Sequence, residues 1–236
     1  MSETLITAGL PAALTEANPT ISLGALYVAP DGIRKYRYVL AGASALVVGN
    51  VVQAAAEDTG DQAITPTAAA IGATQIVTSS TMTVTANQYA GGYVTVTVTP
   101  GLGNTYRIKS HAAYTSAAAT FELEEPIQVA LTTTSRLDFV PNPFNGVVAC
   151  PTTRTSAVVG VAVNDITAAQ YGWVQVAGPC NVLNDAAGAL TVGVSVMPST
   201  SVTGAVRLQT AGNPILGDAL TGIASAENGL VYLRLA

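Results

Sequence analysis

The sequence predicts an all-β protein: short antiparallel strands forming two small barrel- or sandwich-like domains, preceded by an extended N-terminal arm. Three observations predict it. Val and Thr, whose branched Cβ suits a pleated surface, recur at alternate positions, most plainly over residues 93–99. Gly, Pro, Asn and Asp clusters interrupt the chain every 8–12 residues or so, roughly the rhythm of a sandwich or barrel. Two stretches also read alike. Ser156-Ala157-Val158-Val159-Gly160-Val161-Ala162 is followed by Gly172-Trp173-Val174-Gln175-Val176, and Leu220-Thr221-Gly222-Ile223-Ala224 by Gly229-Leu230-Val231-Tyr232-Leu233. Each is a Gly-hydrophobic-Ala run, a turn, and a Gly-started alternating strand. Neither copy carries a catalytic group.

The elements follow in order. Pro11, Pro19 and Pro30 punctuate residues 1–30. Pro11 to Ala17 suits a turn or two of helix with Pro first. The rest is expected as an arm, lying along a neighbouring subunit or strapped over its own sheet. From Lys35 the period is two, with Tyr36, Tyr38 and Leu40 alternating. The apolar run 39–56 is broken by Gly42, Gly49, Asn50 and Gln53. It predicts strands joined by a tight turn at Gly49-Asn50, not a membrane helix, which needs about 20 apolar residues. In 93–99, Val94, Val96 and Val98 face one side and the threonines the other. Residues 100–104 turn the chain, and Tyr106 and Ile108 lie on the return strand. Further strands are expected at 121–123, 127–131 and 137–140. Pro141-Asn142-Pro143-Phe144-Asn145-Gly146 reads as a stiff connector. The expected organisation is therefore an arm (1–30), a β-rich domain (31–140), a linker (141–146) and a C-terminal small barrel (147–236). In that barrel, strands are expected at 147–150, 158–163, 173–176, 190–196, 205–208 and 230–235. Leu190, Val192, Val194 and Val196 share one face, and Asn184 to Gly188 form a hairpin turn.

Composition bounds the function. Charged residues are 10% of the chain, against roughly 25% in an average domain. Aromatics are 6%, and mean hydropathy is +0.43. A surface so poor in charge is a weak defence against self-association, which points to an exterior covered by partner subunits. The net charge of −5 argues against nucleic acid, whose phosphates need clustered Lys and Arg. The basic cluster Arg34-Lys35-Tyr36-Arg37 suits a solvated strand edge. Met1-Ser2-Glu3-Thr4 lacks the cationic start of a signal peptide.

No constellation of catalytic groups emerges. His111 is the only histidine, so any Ser-His-Asp triad rests on it and neighbouring Ser110. There is no Gly-x-Ser-x-Gly elbow, and a hydrogen-bonded structural histidine is expected. Glu122 and Glu124 alternate with Phe121 and Leu123. With Glu125 they suit a solvated face rather than the converging acids of a glycosidase. Glu57-Asp58-Thr59-Gly60-Asp61 lacks EF-hand spacing and is expected as an acidic turn. Gly101-x-Gly103 precedes a strand, unlike a phosphate loop. Trp173 suits a core or interface anchor. Cys150 and Cys180 sit beside prolines at strand ends. They form a bridge if those ends are neighbours, or stay free thiols, which cytoplasmic assembly favours. Neither has the histidines of a zinc site. No catalytic, cofactor-binding or metal residue is assigned, and no cofactor is expected.

Several segments carry a family resemblance. They are Thr105-Tyr106-Arg107-Ile108-Lys109-Ser110, Leu123-Glu124-Glu125-Pro126-Ile127, Val140-Pro141-Asn142-Pro143-Phe144, Val159-Gly160-Val161-Ala162 and Tyr171-Gly172-Trp173-Val174-Gln175, with Gly222-Ile223-Ala224 extending them. The chain resembles structural proteins of tailed bacteriophages, above all head decoration (cement) proteins. The resemblance implies a non-enzymatic virion protein on the outside of an icosahedral capsid, bound to major capsid protein. It also implies a homotrimer assembled in the host cytoplasm, with no catalytic residues. Neither nucleic acid nor membrane is an expected partner. Alternatives are a head or tail fibre base, a tail component, or a glycan-binding β-module for host adsorption. A glycan module would use Tyr89, Tyr93 and Tyr114 at loop tips.

Overall fold

The computed structural model describes residues 16–18 and 21–235. The helix expected at 11–17 falls almost wholly outside them. The described chain is all-β as expected, with a single 3-10 turn at Thr59–Asp61. Its strands are β1 (Leu26–Val28), β2 (Lys35–Leu40), β3 (Val51–Gln53), β4 (Gln75–Val84), β5 (Tyr93–Val98), β6 (Thr105–His111), β7 (Tyr114–Leu123), β8 (Arg136–Val140), β9 (Val148–Ala149), β10 (Val158–Ala162), β11 (Tyr171–Leu183), β12 (Ser195–Pro198), β13 (Val206–Leu208), β14 (Gly217–Ala219) and β15 (Asn228–Arg234). They form two compact units. Among the described residues, unit 1 joins those up to Ala56 with those from Pro143 onward, and unit 2 is Glu57–Asn142.

This division corrects the expected 31–140 domain. Residues 31–56 belong with the C-terminal part, because β2 pairs with β11, placing Tyr38 opposite Trp173, and β3 pairs with β10 and β9. The expected arm is corrected where it is described. Leu26 lies opposite Arg37 in a β1–β2 hairpin, and Glu16 exchanges two main-chain hydrogen bonds with Tyr171. This segment straps its own sheet. Pro30 sits in the hairpin turn, where its missing N–H costs nothing.

In unit 1 the sheet curls into two small barrels that share the 13-residue β11. The first runs through β2, the first half of β11, β10, β3 and β9, and a parallel bridge from Ala41 to Val147 closes it. The second runs through the rest of β11, β15, β14, β12 and β13, and a parallel bridge from Asn184 to Val206 closes it. Val39, Leu46, Val52, Ile166 and Val174 belong to one core. Val182, Leu190, Val196, Ile223 and Val231 belong to the other. Consecutive residues split between the two: Val52 and Ala162 join the first core, Val51 and Val161 the second. With both faces covered, β10 reads as an unbroken apolar run, and β3 buries both valines along with Gln53. At the crossing a Cβ on Gly160 would lie 2.9 Å from the Gln175 carbonyl oxygen, so only glycine lets the strands approach. The buried Gln175 amide donates to the Ala177 and Pro179 carbonyls at 2.9 and 2.8 Å. It thereby satisfies the main chain where the β2–β11 register shifts.

Unit 2 has strand order β4-β7-β6-β5-β8. Ile64 bridges Leu137 of β8 while Pro66 bridges Thr78 of β4, so this short segment links the two edge strands. Ile76, Val94, Val96, Ile108, Phe121 and Phe139 fill the interior. Val98, expected inside, is exposed because β5 ends there. Residues 127–131 are not the expected strand; Leu131 makes one bridge, to Ala69, while Ile127 and Leu131 stay buried. In unit 1 the expected strand at 190–196 is a turn until Ser195. Gly193 has φ +84°, and Val192 is 67% exposed instead of sharing the core face. Asn184 to Gly188 make no hairpin, since β11 and β12 are not neighbours.

Candidate functional site

The buried ionisable side chains that form hydrogen-bonded networks lie in two places. In unit 2, His111 is buried at the end of β6. Its Nε2 accepts the Tyr89 amide at 3.0 Å, and its Nδ1–H donates to the Ala112 carbonyl at 2.8 Å. These bonds fix a neutral ring protonated on Nδ1. The ring packs 4.8 Å from Phe121, centroid to centroid. Burial pushes the His111 pKa below its ordinary 6.5. Main-chain groups occupy both ring nitrogens, so neither is available to activate Ser110. The Tyr89 hydroxyl donates to Asp61. Burial raises the Asp61 carboxyl above its ordinary value and pushes the Tyr89 phenol up as well. The expected acidic turn is therefore half interior. Asp58 caps the 3-10 turn by accepting the Gly60 amide at 2.9 Å, but Asp61 is 4% exposed.

The second place lies in unit 1. Asp185 has a side chain 1% exposed. Its carboxylate accepts the Ser199 hydroxyl at 2.6 Å and the Ala187 amide at 2.8 Å, with Arg207 Nε at 3.7 Å. Ser199 Oγ in turn accepts the amides of Ser201 and Val202, each at 3.0 Å. Arg207 also donates to Thr200 and Ser201 hydroxyls at 2.6 and 3.2 Å. The network clamps the turn after β12, and its Asp185 and Arg207 line a cleft of about 250 Å³ with Gly188 and Thr210. The Ser199 hydroxyl donates to the carboxylate and accepts two main-chain amides, so these bonds tie the turn down.

Of the remaining candidates, Glu124 and Glu125 come together, both at Arg107. Glu122 accepts the Gln75 amide at 2.6 Å, Glu124 faces Arg107 at 3.4 Å, and Glu125 accepts the Arg107 main-chain amide at 3.0 Å. Gly101 and Gly103 form the β5–β6 turn, with φ +90° and +87°. Trp173 is an internal anchor, with Tyr27 and Tyr38 at centroid distances of 5.9 and 5.2 Å. Cys150 and Cys180 are buried and unbridged. Burial raises both thiols, Cys180 to about 12. Tyr89 lies in the interior, which leaves Tyr93 and Tyr114 of the three tyrosines considered for glycan stacking. Among the described residues, no three His, Cys, Asp or Glu side chains gather as metal ligands would.

One surface escaped the sequence reading. Residues 69–73, 98–104 and 128–134 meet at one end of unit 2. Ala69 bridges Leu131, the Gly72 amide donates to the Ile127 carbonyl, and the Ser135 hydroxyl donates to the Pro100 carbonyl. None of these residues is charged. Ile71 is 68% and Leu102 64% exposed, with Val129 also exposed. The signal was legible as three loops without a charge, but nothing in the sequence brings those loops together. No protein-family model matches the chain, nor does any curated protein or solved structure.

Proposed function

We propose that the chain is a structural, non-enzymatic virion protein that decorates a tailed-phage capsid, binding major capsid protein and its own copies as a homotrimer. The observation that supports this most is the uncharged end of unit 2. Ile71, Leu102 and Val129 leave branched aliphatic surface in water, which costs about 25 cal/mol per Å² until a partner covers it. Exposed apolar patches of this kind mark protein–protein contacts. His111 and Asp61 in unit 2 and Asp185 in unit 1 are each engaged in buried hydrogen bonds. Repeated over a shell, many modest contacts add up to strong attachment.

The test is co-sedimentation of full-length protein with undecorated capsids. Ile71→Asp combined with Leu102→Asp should lower occupancy at least tenfold and leave the β-sheet circular dichroism unchanged. Unchanged occupancy in the double variant, or absence of the native chain from the virion surface, rejects the reading.

A further inference from the structure

We infer that unit 1 is an internal duplication built around β11, and that unit 2 is a module inserted into one loop of the first copy, so that the double barrel folds without it. This goes beyond the capsid reading and does not depend on it.

The two barrels agree bond for bond. In the first, Val161 lies opposite Gln175 and Ala162 opposite Val174. In the second, Asp218 lies opposite Tyr232 and Ala219 opposite Val231. Leu46 bridges Ile166, as Leu190 bridges Ile223. After each of these four residues comes the same turn, closed by amide-to-carbonyl bonds Asn50–Val47, Gln170–Thr167, Val194–Thr191 and Glu227–Ala224. The third residue of each turn has positive φ: Gly49 at +83°, Ala169 at +56°, Gly193 at +84° and Ala226 at +60°. Two alanines in that conformation, which disfavours side chains, recur at equivalent places. The Ala169 amide donates to the Gly42 carbonyl, and the Ala226 amide donates to that of Asp185. Val52 opposes Ala149 as Val196 opposes Leu208. The counterpart of Gly160-Val161-Ala162 is therefore Gly217-Asp218-Ala219, not the Gly222-Ile223-Ala224 that reads alike.

One connection breaks the match. Between β12 and β13 the chain makes a short turn, and the Asp185–Ser199–Arg207 network clamps it. The counterpart connection, from β3 to β9, contains all of unit 2. Gly42 and Val148 stand where the second copy has Asp185 and Arg207. The clamp accompanies the short turn, and the first copy lacks it where the loop is opened. Unit 2 has its own core.

The chain carries its own reporters: its one Trp, Trp173, lies in unit 1, and its one His, His111, lies in unit 2. Thermal unfolding of the full chain is followed by tryptophan fluorescence and by the histidine NMR resonance. Phe121→Ala should lower the His111 midpoint by more than about 10 °C and leave that of Trp173 in place. Val231→Ala should do the reverse. A second variant replaces 57–142 with the turn sequence 200–204, and should keep cooperative unfolding and buried-tryptophan emission. Midpoints that move together in both point variants, or an unfolded loop-closed chain, overturn the inference. Capsid binding by these variants bears only on the capsid reading.

Discussion

The clamp on the second barrel gives a prediction whose size follows from its geometry. Asp185→Ala removes a carboxylate that is 1% exposed and leaves the Ser199 hydroxyl and the Ala187 amide without their acceptor. Each lost neutral bond costs about 1 kcal/mol, more where the orphaned donor is buried. The Arg207 term is smaller. Its side chain is 26% exposed and its Nε is 3.7 Å from the carboxylate, so solvent screens the pair below the ~3–5 kcal/mol of a fully buried one. The expected loss for Asp185→Ala is about 2–4 kcal/mol. Arg207→Val should cost about 1–3 kcal/mol, because it leaves a buried carboxylate held only by neutral donors.

The double variant Asp185→Ala with Arg207→Val should cost less than the two single losses together, by about 1 kcal/mol or more. It approximates the first barrel, where Gly42 and Val148 occupy these places and the bridge from Ala41 to Val147 still closes the wall. The assay is guanidinium unfolding followed by Trp173 fluorescence, with stabilities from linear extrapolation. Additivity to within about 0.5 kcal/mol would show that the two side chains do not act as a pair. A neutral Asp185→Ala would refute the clamp itself.

Two further outcomes are expected. Acid should destabilise unit 2 through His111. Burial holds its folded pKa below 6.5, so its stabilising contribution is complete above the unfolded value and is lost as pH falls through the folded one. Asp61, with its pKa raised, acts in the opposite sense: its contribution is present below the unfolded carboxyl value and is lost as pH rises through the folded one. An NMR titration of the single histidine should give a midpoint below 6.5, and a midpoint at or above that value refutes the buried neutral ring. Cys150 and Cys180 should resist thiol reagents at neutral pH in the native protein and react fully after denaturation, since the thiolate is the reactive species. Rapid native labelling of Cys180, whose thiol sits at about 12, would show that the second barrel opens.

The sequence was most legible where a strand keeps one wet face. Residues 93–99 alternate because β5 buries Val94 and Val96 and exposes its threonines or leaves them half-buried. Alternation failed as a guide in two ways. In 190–196 the spacing of Leu190, Val192, Val194 and Val196 matches a strand, but Gly193 supplies the positive φ that a turn requires. Val192 therefore points outward. In β4 the register breaks twice against β7, and a ten-residue strand rich in Ser and Thr went unseen. The candidate sites were less legible still. His111 stood out by being alone, but Tyr89, which bonds it, and Asp61, which bonds Tyr89, come from other stretches of the chain. Asp185 and Arg207 looked like ordinary loop and strand residues.

The double barrel explains why the domain boundary at the start of unit 2 was hidden. A boundary is usually marked by a shift in composition, and the connector at 141–146 has one. The crossing at Ala56 and Glu57 does carry a shift, from three alanines to the acidic turn 57–61, but a single turn of that kind equally suits a loop within one domain. Val51 and Val52 are both fully buried, each in a different core. A two-faced strand of three residues carries no period from which its sheet could be read. Its partners are fixed only by long-range pairing with β10 and β9, on the far side of unit 2 in sequence. An inserted module separates the halves of a barrel along the chain without separating them in space. Local pattern then assigns the first half to whatever follows it in sequence, which is how residues 31–56 came to be grouped with the β-rich domain.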